Sequence, residues 1–375
     1  MSLGLAATGT GALSACGSST DLEASSTAPV DRSDVDHSLW VSNWPLYIDV
    51  SAPNPRRHPT VDAFQRATGI RVRYTEDVNS NEQFFAMVRD ALQAGGSTGR
   101  DLFVLTDWMA ARMIRYGWIQ AIEPTAVPNK VNVVDFLTAP SFDPRREYSL
   151  PWQAGMTGIA YNADVTAPVR DVDSLLTRKE LRGRVTVLSE MRDTMGLIML
   201  QQGIDPAQFT GDQWSRAIAS LTDAVDSHQI KSVTGNEYAR QLARGDIAAA
   251  IAWSGDVIQL QYRHPNIKFV VPEAGGMLWA DNMLIPAGSQ HRSNAEAWMN
   301  WYYRPDIAAR LAAYVRYICP VVGAQEAMAR VDPTLVDQPL IFPSPDQRQQ
   351  LSIFMALNDD QEQQYAADFA AAQNG

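Results

Sequence analysis

The sequence predicts an α/β protein that folds as two lobes. Its 375 residues exceed the length that one hydrophobic core usually supports. Short apolar strands alternate with amphipathic helices in both halves of the chain, and this alternation indicates βαβ units built around parallel sheets. The two halves share a similar order of strands and helices without an internal sequence repeat. Two lobes of related architecture therefore fit the pattern best.

The first half contains three predicted strands and two predicted helices, and folded structure is expected from Ser38 onwards. In chain order these are the strand SLWVSNW, the helix TVDAFQRATGI closed by Gly69, the strand IRVRYTE, the helix NEQFFAMVRDALQAG and the short buried strand DLFVLT. Residues 17–37 precede them and are rich in Ser, Thr, Ala and Asp. That composition is typical of a flexible tether.

The second half resumes the same alternation after Tyr148. Its predicted strands are YSLPW, TGIAYN, VTVLSE, IAAAIAW and IKFVVPE. One predicted helix begins at about Thr194, and another runs across GDQWSRAIASLTDAV.

The composition indicates a folded globular protein and argues against nucleic-acid binding. Hydrophobic residues make up 46% of the chain and charged residues 19%. The 31 Lys and Arg residues against 42 Asp and Glu residues give a net charge of −11, whereas phosphate binding needs a basic face. A cationic small molecule would instead be attracted.

The two cysteines, Cys16 and Cys319, are far apart in the sequence, which argues against a disulfide framework. Cys16 ends the stretch LSAC after a short apolar segment and is followed by a polar linker. This arrangement resembles the lipobox of bacterial lipoproteins, so residues 1–16 are the expected signal segment and Cys16 the expected lipidation site. No Lys or Arg precedes the apolar segment, and this departure from a secretory signal indicates either a start codon assigned too late or a signal that does not function.

Aromatic and acidic side chains recur where the predicted strands end. Ligand sites in open α/β sheets lie beyond the carboxyl ends of the strands. The segments NWPLY, TDW, SEMRDT, WSGD and WADN follow five such ends, and they carry Trp44, Tyr47, Trp108, Glu190, Asp193, Trp253, Asp256, Trp279 and Asp281. A single Trp at a strand end ordinarily packs in the core, and Asp193 or Asp256 just before a helix is ordinarily an N-cap. The coincidence at five ends favours a binding site.

Trp279 and Asp281 stand two positions apart, so in an extended chain their side chains point to the same face. A flat ring beside a carboxylate suits an organic cation. The alternative is that Trp279 fills the core and Asp281 caps the segment that follows, and the pair alone does not decide between the two.

These segments resemble, in order and spacing, the extracytoplasmic spermidine/putrescine-binding proteins of ABC importers. The resemblance runs from about Leu39 to Tyr365 and is carried by LWVSNWPLYI, SNEQFFAMV, RDLFVLTDWM, YSLPWQAGMTGIAYN, IAWSGD, GGMLWADNMLIP and RYICP. It implies a type II periplasmic-binding-protein fold, in which two α/β lobes joined by a hinge close on a polyamine in a central cleft. It also implies an ABC permease as partner and no cofactor, and we expect a monomer anchored outside the cytoplasmic membrane through Cys16.

The resemblance also implies where the chain crosses between the lobes. The crossings fall near Gly158 to Asn162, near Asp281 to Leu284 and near Tyr317 to Pro320. Lobe 1 is then expected to contain residues 38–158 and 282–318, and lobe 2 residues 159–281 and 319–375.

The family's ligand-binding residues map onto specific positions of this chain. Its aromatic box corresponds to Trp44, Tyr47, Trp108, Trp253, Trp279 and Tyr317. Its amine-binding carboxylate corresponds to Asp281, and a small hydroxylated residue at the mouth of the cleft corresponds to Thr106.

Three features of this chain depart from the family pattern. In the spermidine-binding type, the segment after VTVL supplies two acids to a terminal ammonium. Ungapped alignment puts Met191 and Thr194 at those positions, and the acids Glu190 and Asp193 stand one residue away. Pro45 replaces a hydroxyl-bearing residue, while Asp256 is an additional carboxylate. The identity of the polyamine is therefore left open.

Rival functions are an enzyme and a binding protein for another ligand. Rows of aromatic residues with paired acids also occur in sugar-cleaving clefts, but nucleophile-elbow, P-loop and dinucleotide motifs are absent from the sequence. The five histidines form no close pair suited to a metal, and Cys319 lies in an apolar setting. Thiamine, ferric iron, a sugar or a cationic amino-acid derivative are alternative ligands. Ferric iron needs a cluster of tyrosines or other oxygen ligands that is not evident, and thiamine stays open as an aromatic-stacked cation.

Overall fold

The computed structural model describes residue 1 and residues 29–374 of the chain. Cys16 and most of the predicted signal and tether lie outside the described residues. The described part contains ten strands, which are β1 Ser38–Asn43, β2 Arg71–Glu76, β3 Leu102–Thr106, β4 Ser149–Asn162, β5 Val185–Leu188, β6 Ile230–Thr234, β7 Ala249–Trp253, β8 Ile267–Val270, β9 Gly276–Leu284 and β10 Leu351–Ser352.

Thirteen α-helices accompany these strands in the same part of the chain. They are α1 Pro59–Thr68, α2 Asn81–Gln93, α3 Asp107–Arg115, α4 Val172–Thr177, α5 Met191–Gln201, α6 Gly211–Asp226, α7 Glu237–Arg244, α8 Ser254–Gln261, α9 Arg292–Tyr302, α10 Pro305–Val315, α11 Ala324–Val331, α12 Pro345–Gln349 and α13 Asp359–Asn374. Within residues 29–374, none of these helices has the length and apolar character needed to cross a bilayer.

Local sequence sets several of the helix boundaries. Gly69 ends α1 as predicted, with a φ of 75° that glycine adopts without steric cost. The Ser80 side chain accepts a hydrogen bond from the Gln83 amide at the start of α2. Thr210 and Gln213 form a reciprocal capping box at the start of α6.

The strands form one sheet in the order β2-β1-β3-β9-β4-β7-β5-β6, with β8 paired to β4 and β10 paired to β9. The outer strands on each side run parallel to one another, which fits βαβ connections. In the middle, β9 runs antiparallel to both β3 and β4, and β4 runs antiparallel to β7. The register places Thr106, at the end of β3, opposite Asp281 in β9.

The two predicted strands YSLPW and TGIAYN are a single strand, β4, which is buried along its length. The prediction of two separate strands was wrong, because pairing with neighbouring strands carries β4 through the intervening residues. β9 pairs with β4 from Ser149 to Thr157, and β7 and β8 pair with its second half. The register shifts between Pro151 and Gln153, which accommodates the missing proline donor without ending the strand.

The sequence analysis placed Trp279 and Asp281 beyond a strand end, but they lie in the middle of β9. Their i, i+2 spacing does place them on the same face of that strand. Similarly, α5 begins at Met191 and not at about Thr194, so Asp193 belongs to its first turn.

Two large hydrophobic cores lie on either side of the sheet's central strands. Leu150, Trp152, Ala154 and Met156 of β4 belong to the first core, whereas Ile159, Ala160 and Tyr161 belong to the second. β9 likewise changes core between Met277 and Leu278. β4 and β9 therefore pass from one core to the other, as expected for the crossing strands of a two-lobe type II fold. A smaller cluster around Phe84, Phe103 and Met109 supports α2 and α3.

The packing differs from the predicted division of the chain in one long segment. Residues after 318 were expected in lobe 2, but Cys319, Val321 and the residues up to Ile341 pack in the first core. The reason is that α11 packs against α10 there. Of this C-terminal segment, Phe354 and Met355 pack against the second core, and Leu357 and residues of α13 belong to it.

Candidate functional site

Asp281 lies at the centre of the molecule, in a strand that both cores share. Its side chain is buried, with the residue 5% exposed. Tyr47 Oη donates to Asp281 Oδ2 over 2.9 Å, and Thr106 Oγ1 donates to Asp281 Oδ1 over 2.8 Å. Tyr47 reaches this position from the loop after β1, and Thr106 from the end of β3. The sequence prediction that these three residues meet is consistent with the geometry.

Asp256 resembles Asp281 in that tyrosine hydroxyls donate to its carboxylate. It lies in the first turn of α8, and it accepts hydrogen bonds from Tyr317 Oη and Tyr238 Oη, each over 2.9 Å. Asp256 therefore does not cap the helix that contains it, although an N-cap was the ordinary alternative. The pKa of each phenol is raised well above its usual value, mainly by burial, so both hydroxyls stay protonated as donors.

Asp193 is the third carboxylate of this group and is buried like Asp281, whereas Asp256 is partly buried. Trp253 Nε1 donates to Asp193 Oδ2 over 2.7 Å, and Thr157 Oγ1 donates to Asp193 Oδ1 over 2.7 Å. Thr157 also accepts a hydrogen bond from Trp279 Nε1 over 3.1 Å. As with Asp256, the carboxylate holds neighbouring side chains and does not cap its helix.

Aromatic contacts join the three carboxylates into one cluster. The Tyr317 ring lies 5.5 Å from the Tyr47 ring and 5.6 Å from the Trp279 ring, measured between centroids. The Tyr238 and Trp253 rings are 6.2 Å apart. Through these rings the hydrogen bonds of Asp193, Asp256 and Asp281 become a continuous network. Sequence-predicted residues from both lobes therefore meet in one place.

The three carboxylates lack cationic partners within the protein. Throughout residues 29–374, none of them has a Lys, Arg or His nitrogen within 4.0 Å, and their side-chain donors are neutral. Burial raises the pKa of Asp281 to about 7, opposed by the hydrogen bonds from Thr106 and Tyr47. Burial also raises the pKa of Asp193 to about 7, with the nearby Glu190 charge adding to the effect. The pKa of Asp256 is raised by burial as well.

Trp44 lies near this cluster but is less firmly bound to it. It follows β1, is partly buried and packs against the first core. Its Nε1 is buried without a hydrogen-bond partner in the described part of the chain. The next residues form a turn in which Leu46 has a φ of 61°, and this turn directs Tyr47 inward.

Trp108 and Glu190 have different surroundings from the other predicted residues. Asp107 fixes the start of α3 to β9 by accepting from the Ala280 amide over 2.9 Å, and Trp108 follows it. The Arg192 guanidinium carbon lies 4.0 Å from the centre of the Trp108 ring. Arg192 also lies 3.7 Å from a carboxylate oxygen of Glu190. Both predicted residues are thus already in contact with a protein cation.

Sequence reasoning missed Thr157, Tyr238 and Arg192. Thr157 lies inside a buried strand, and Tyr238 lies on α7, a helix for which no motif was recognised. Each contacts its carboxylate across at least 18 residues of sequence. A local sequence pattern carries no signal for such contacts. Arg192 is different, because it is adjacent to Asp193 in the sequence and could have been considered with it.

Gly155 is the position on which the Trp279 ring rests, because the two residues pair across β4 and β9. A Cβ atom at Gly155 would overlap the indole. We expect Gly155→Ala to lower the free energy of unfolding by about 1–3 kcal/mol through overpacking, measured by urea unfolding.

Gly211→Ala is the matched control for this substitution. Gly211 opens α6, and a Cβ atom there meets no atom within 4 Å, so stability should not fall. Equal stability of the two variants would contradict the close approach of Trp279 to Gly155.

Other parts of the described chain offer weaker candidate sites. The described residues include no group of three or more His, Cys, Asp or Glu side chains that could hold a metal ion. Cys319 is buried, and burial raises the pKa of its thiol to about 12, which opposes a nucleophilic role. A surface cavity of about 630 Å³ lies beside Asp164 and Lys268 and contains none of the predicted site residues.

Comparison with known proteins gives a consistent family assignment. The model of a family described as bacterial extracellular solute-binding protein matches residues 60–343. The putrescine-binding periplasmic protein PotF of Escherichia coli (strain K12) is 28% identical over 333 residues, which cover 84% of this chain and 85% of that protein. The spermidine/putrescine-binding periplasmic protein of the same strain is 24% identical over 315 residues, covering 83% of this chain and 85% of that protein.

Solved structures share the fold over nearly the whole chain. The spermidine/putrescine ABC transporter substrate-binding protein PotD from Streptococcus pneumoniae superposes with a TM-score of 0.75 and 23% sequence identity. The match covers 90% of this chain and 98% of that one. The type II fold with two lobes expected from the sequence is therefore confirmed.

Proposed function

The chain belongs to the family of bacterial extracellular solute-binding proteins, and from that premise we propose that it captures a polyamine, putrescine or spermidine, in its central cleft. The family consists of binding proteins and not of enzymes, so the chain is a binding protein, and a sugar-cleaving activity is set aside. Relatives named for putrescine and spermidine binding support this choice of ligand.

One observation carries the proposal: the buried Asp193 and Asp281 and the partly buried Asp256 share an aromatic cluster, and within residues 29–374 none of the three has a cationic nitrogen within 4.0 Å. A buried charge without a partner costs several kcal/mol. An alkylammonium ligand supplies the missing charges, whereas a neutral sugar leaves the carboxylates unpaired. The cluster is thus better suited to a cation with more than one charge than to an uncharged ligand.

The ligand's two kinds of groups match the two kinds of side chains in the cluster. Its ammonium groups pair with Asp281, Asp256 and Asp193, each of which keeps unused acceptor sites on its oxygens. Its methylene groups pack against the rings of Trp44, Tyr47, Trp253, Trp279 and Tyr317. These rings add about 0.5–2 kcal/mol for each cation–π contact. Thr106 orients Asp281 through its hydrogen bond. Trp108 and Glu190 lie at the edge of this group of ligand-binding residues.

A ligand that pairs with carboxylates on both sides of the cleft favours closure of the two lobes. Asp281 and Tyr47 reach the cleft from one side, and Asp256 and Asp193 from the other. A ligand that bridges them binds the closed form more tightly than the open form, so it shifts the population towards closure. We propose that an ABC permease in the membrane recognises the closed form and that the protein acts as a monomer.

We further propose that Cys16 carries a lipid that anchors the protein outside the cytoplasmic membrane. Its support is the lipobox-like sequence before Cys16, which lies outside the described residues. Metabolic labelling with a palmitate analogue should mark the wild type, and Cys16→Ser should abolish the label. Equal labelling of both would contradict lipidation at this residue.

Isothermal titration calorimetry of the purified protein tests the choice of ligand. Putrescine and spermidine should each be screened beside thiamine, glucose and butylamine. Butylamine has the carbon chain of putrescine with a single ammonium group, so it isolates the contribution of the second charge. We expect saturable binding of a polyamine and at least about tenfold weaker binding of butylamine.

The same screen contains the outcomes that would overturn the proposal. Tight binding of glucose without polyamine binding would contradict the proposal that the ligand is a cation. Tight binding of thiamine with weak polyamine binding would keep the fold and replace the ligand. Equal affinities for putrescine and butylamine would show that the additional carboxylates do not pair with a second ammonium.

A further inference from the structure

Arg192 occupies one end of the carboxylate cluster. It is in the first turn of α5, next to Asp193, and it is 8% exposed. Its guanidinium carbon lies 4.0 Å from the centre of the Trp108 ring, and it donates a hydrogen bond to Glu362 on α13. Because α5 and α13 pack in the second core whereas α3 packs with β3 and β9, this contact joins the two walls of the cleft.

A second arginine completes the charge balance at this end. Arg112 on α3 lies 5.1 Å from the Trp108 ring centre and donates to Glu362 over 3.0 Å and to Glu82 over 3.1 Å. The acids around Trp108 therefore have arginine partners already. The Trp108 ring likewise has protein cations against it, and such contacts are stronger when they are desolvated.

The cluster thus consists of two parts with opposite properties. At the Trp108 end, acids and ring are satisfied by Arg192 and Arg112. At the other end, the hydrogen bonds that Asp281 and Asp256 accept from side chains of residues 29–374 come from neutral hydroxyls. An ammonium group is attracted to the second part, whereas at the first it meets a buried guanidinium of the same charge.

We propose that Arg192 is a specificity-determining residue that limits the ligand to a short diamine and discriminates against a triamine. The inference rests on the proposed polyamine function of the same site. The Arg192 guanidinium lies over Trp108 where the cationic end of a longer ligand would otherwise stack. A diamine keeps its two charges among the unpaired carboxylates, while the aminopropyl arm of spermidine runs into Arg192.

Charge counting alone does not select the ligand, because three carboxylates accept either three ammonium groups or two ammonium groups and a proton. The length of the free part of the cluster makes the selection. In a site of fixed length, each additional methylene that does not fit lowers the affinity by about 10–200-fold. The discrimination should therefore appear as a ratio of affinities and not as a loss of all binding.

The test is calorimetric titration of the full-length wild type and of Arg192→Ala with putrescine, cadaverine and spermidine at about pH 8. We expect the wild type to bind putrescine at least about tenfold more tightly than spermidine. Arg192→Ala should reduce this ratio at least about tenfold, chiefly by gaining affinity for spermidine. Cadaverine should fall between the two in the wild type.

Arg115→Ala is the matched control. Arg115 also joins α3 to the α13 segment, through Asp359, but its ring contact is with Tyr116 and not with Trp108. Its removal should leave the spermidine-to-putrescine ratio unchanged. Thermal melting of each variant checks that the comparison concerns folded protein.

The wild-type titration decides the inference even if Arg192→Ala does not fold. Equal affinities for putrescine and spermidine, or a preference for spermidine, would overturn the role of Arg192 and leave the polyamine function intact. The same conclusion follows if folded Arg192→Ala keeps the wild-type ratio. If the wild type binds none of the amines, the proposed function fails and the inference fails with it.

Discussion

Asp281→Asn is expected to weaken putrescine binding by at least about tenfold at pH 8. The substitution keeps the size of the side chain but removes the charge that pairs with an ammonium group. A hydrogen bond to a charged group contributes about 1.5–3 kcal/mol, and the lower end of that range already corresponds to tenfold. Isothermal titration calorimetry measures the change directly.

The same substitution should stabilise the ligand-free protein, which distinguishes a lost contact from a damaged fold. The folded-state pKa of Asp281 is about 7, above its usual 3.8, so ionised Asp281 opposes folding. That penalty grows as the pH rises from about 4 and is complete above pH 7. At pH 8, Asp281→Asn removes it, and we expect the free energy of unfolding to rise by about 1–3 kcal/mol.

Asp171→Asn provides the control for these measurements. Asp171 caps α4 by accepting from the Ser174 amide over 2.7 Å, and asparagine is an equally good cap. Neither the affinity nor the stability should change appreciably. If Asp281→Asn binds putrescine as tightly as Asp171→Asn does, Asp281 does not contact the ligand.

Putrescine affinity should fall by up to about a hundredfold between pH 8 and pH 6. Both ammonium groups of the ligand stay protonated across this range, whereas Asp193 and Asp281 each have a pKa of about 7. A carboxylic acid must lose its proton before it pairs with an ammonium group. Each of the two therefore costs about tenfold in apparent affinity over this interval, through proton linkage.

Titrations in buffers of different ionisation enthalpy would count the protons released on binding. Asp281→Asn should reduce the loss between pH 8 and pH 6 about tenfold, because one carboxylate with a pKa of about 7 is then removed. An affinity that is constant, or that rises on acidification, would exclude the pairing of these carboxylates with the ligand.

The sequence allowed much of this site to be predicted, because most of its residues follow strand ends. Parallel strands bring their carboxyl ends to one edge, so Tyr47 after β1 and Trp108 after β3 were expected at the same edge without knowledge of contacts. The spacing of Trp279 and Asp281 also gave their common face, although they lie within β9 and not after a strand. These inferences depend only on strand periodicity and chain direction.

The remaining features depend on tertiary contacts that local patterns do not encode. Pro151 and the glycines of β4 indicate a break, yet pairing with β9, β7 and β8 holds the strand together. Tyr238 belongs to a helix that is polar on most of its surface, and only the fold brings its hydroxyl to Asp256. Asp193 and Asp256 have the sequence position of helix caps but bind side chains from distant segments.

β4 and β9 each belong to both hydrophobic cores, so neither half of the molecule has a complete sheet of its own. Removal of either half would leave the other with two unpaired strand segments and an exposed apolar edge. The halves should therefore unfold together in one cooperative heat-absorption peak. A destabilising substitution in either half should then lower the melting temperature of the whole molecule. The two strands that the cores share therefore make the two halves inseparable.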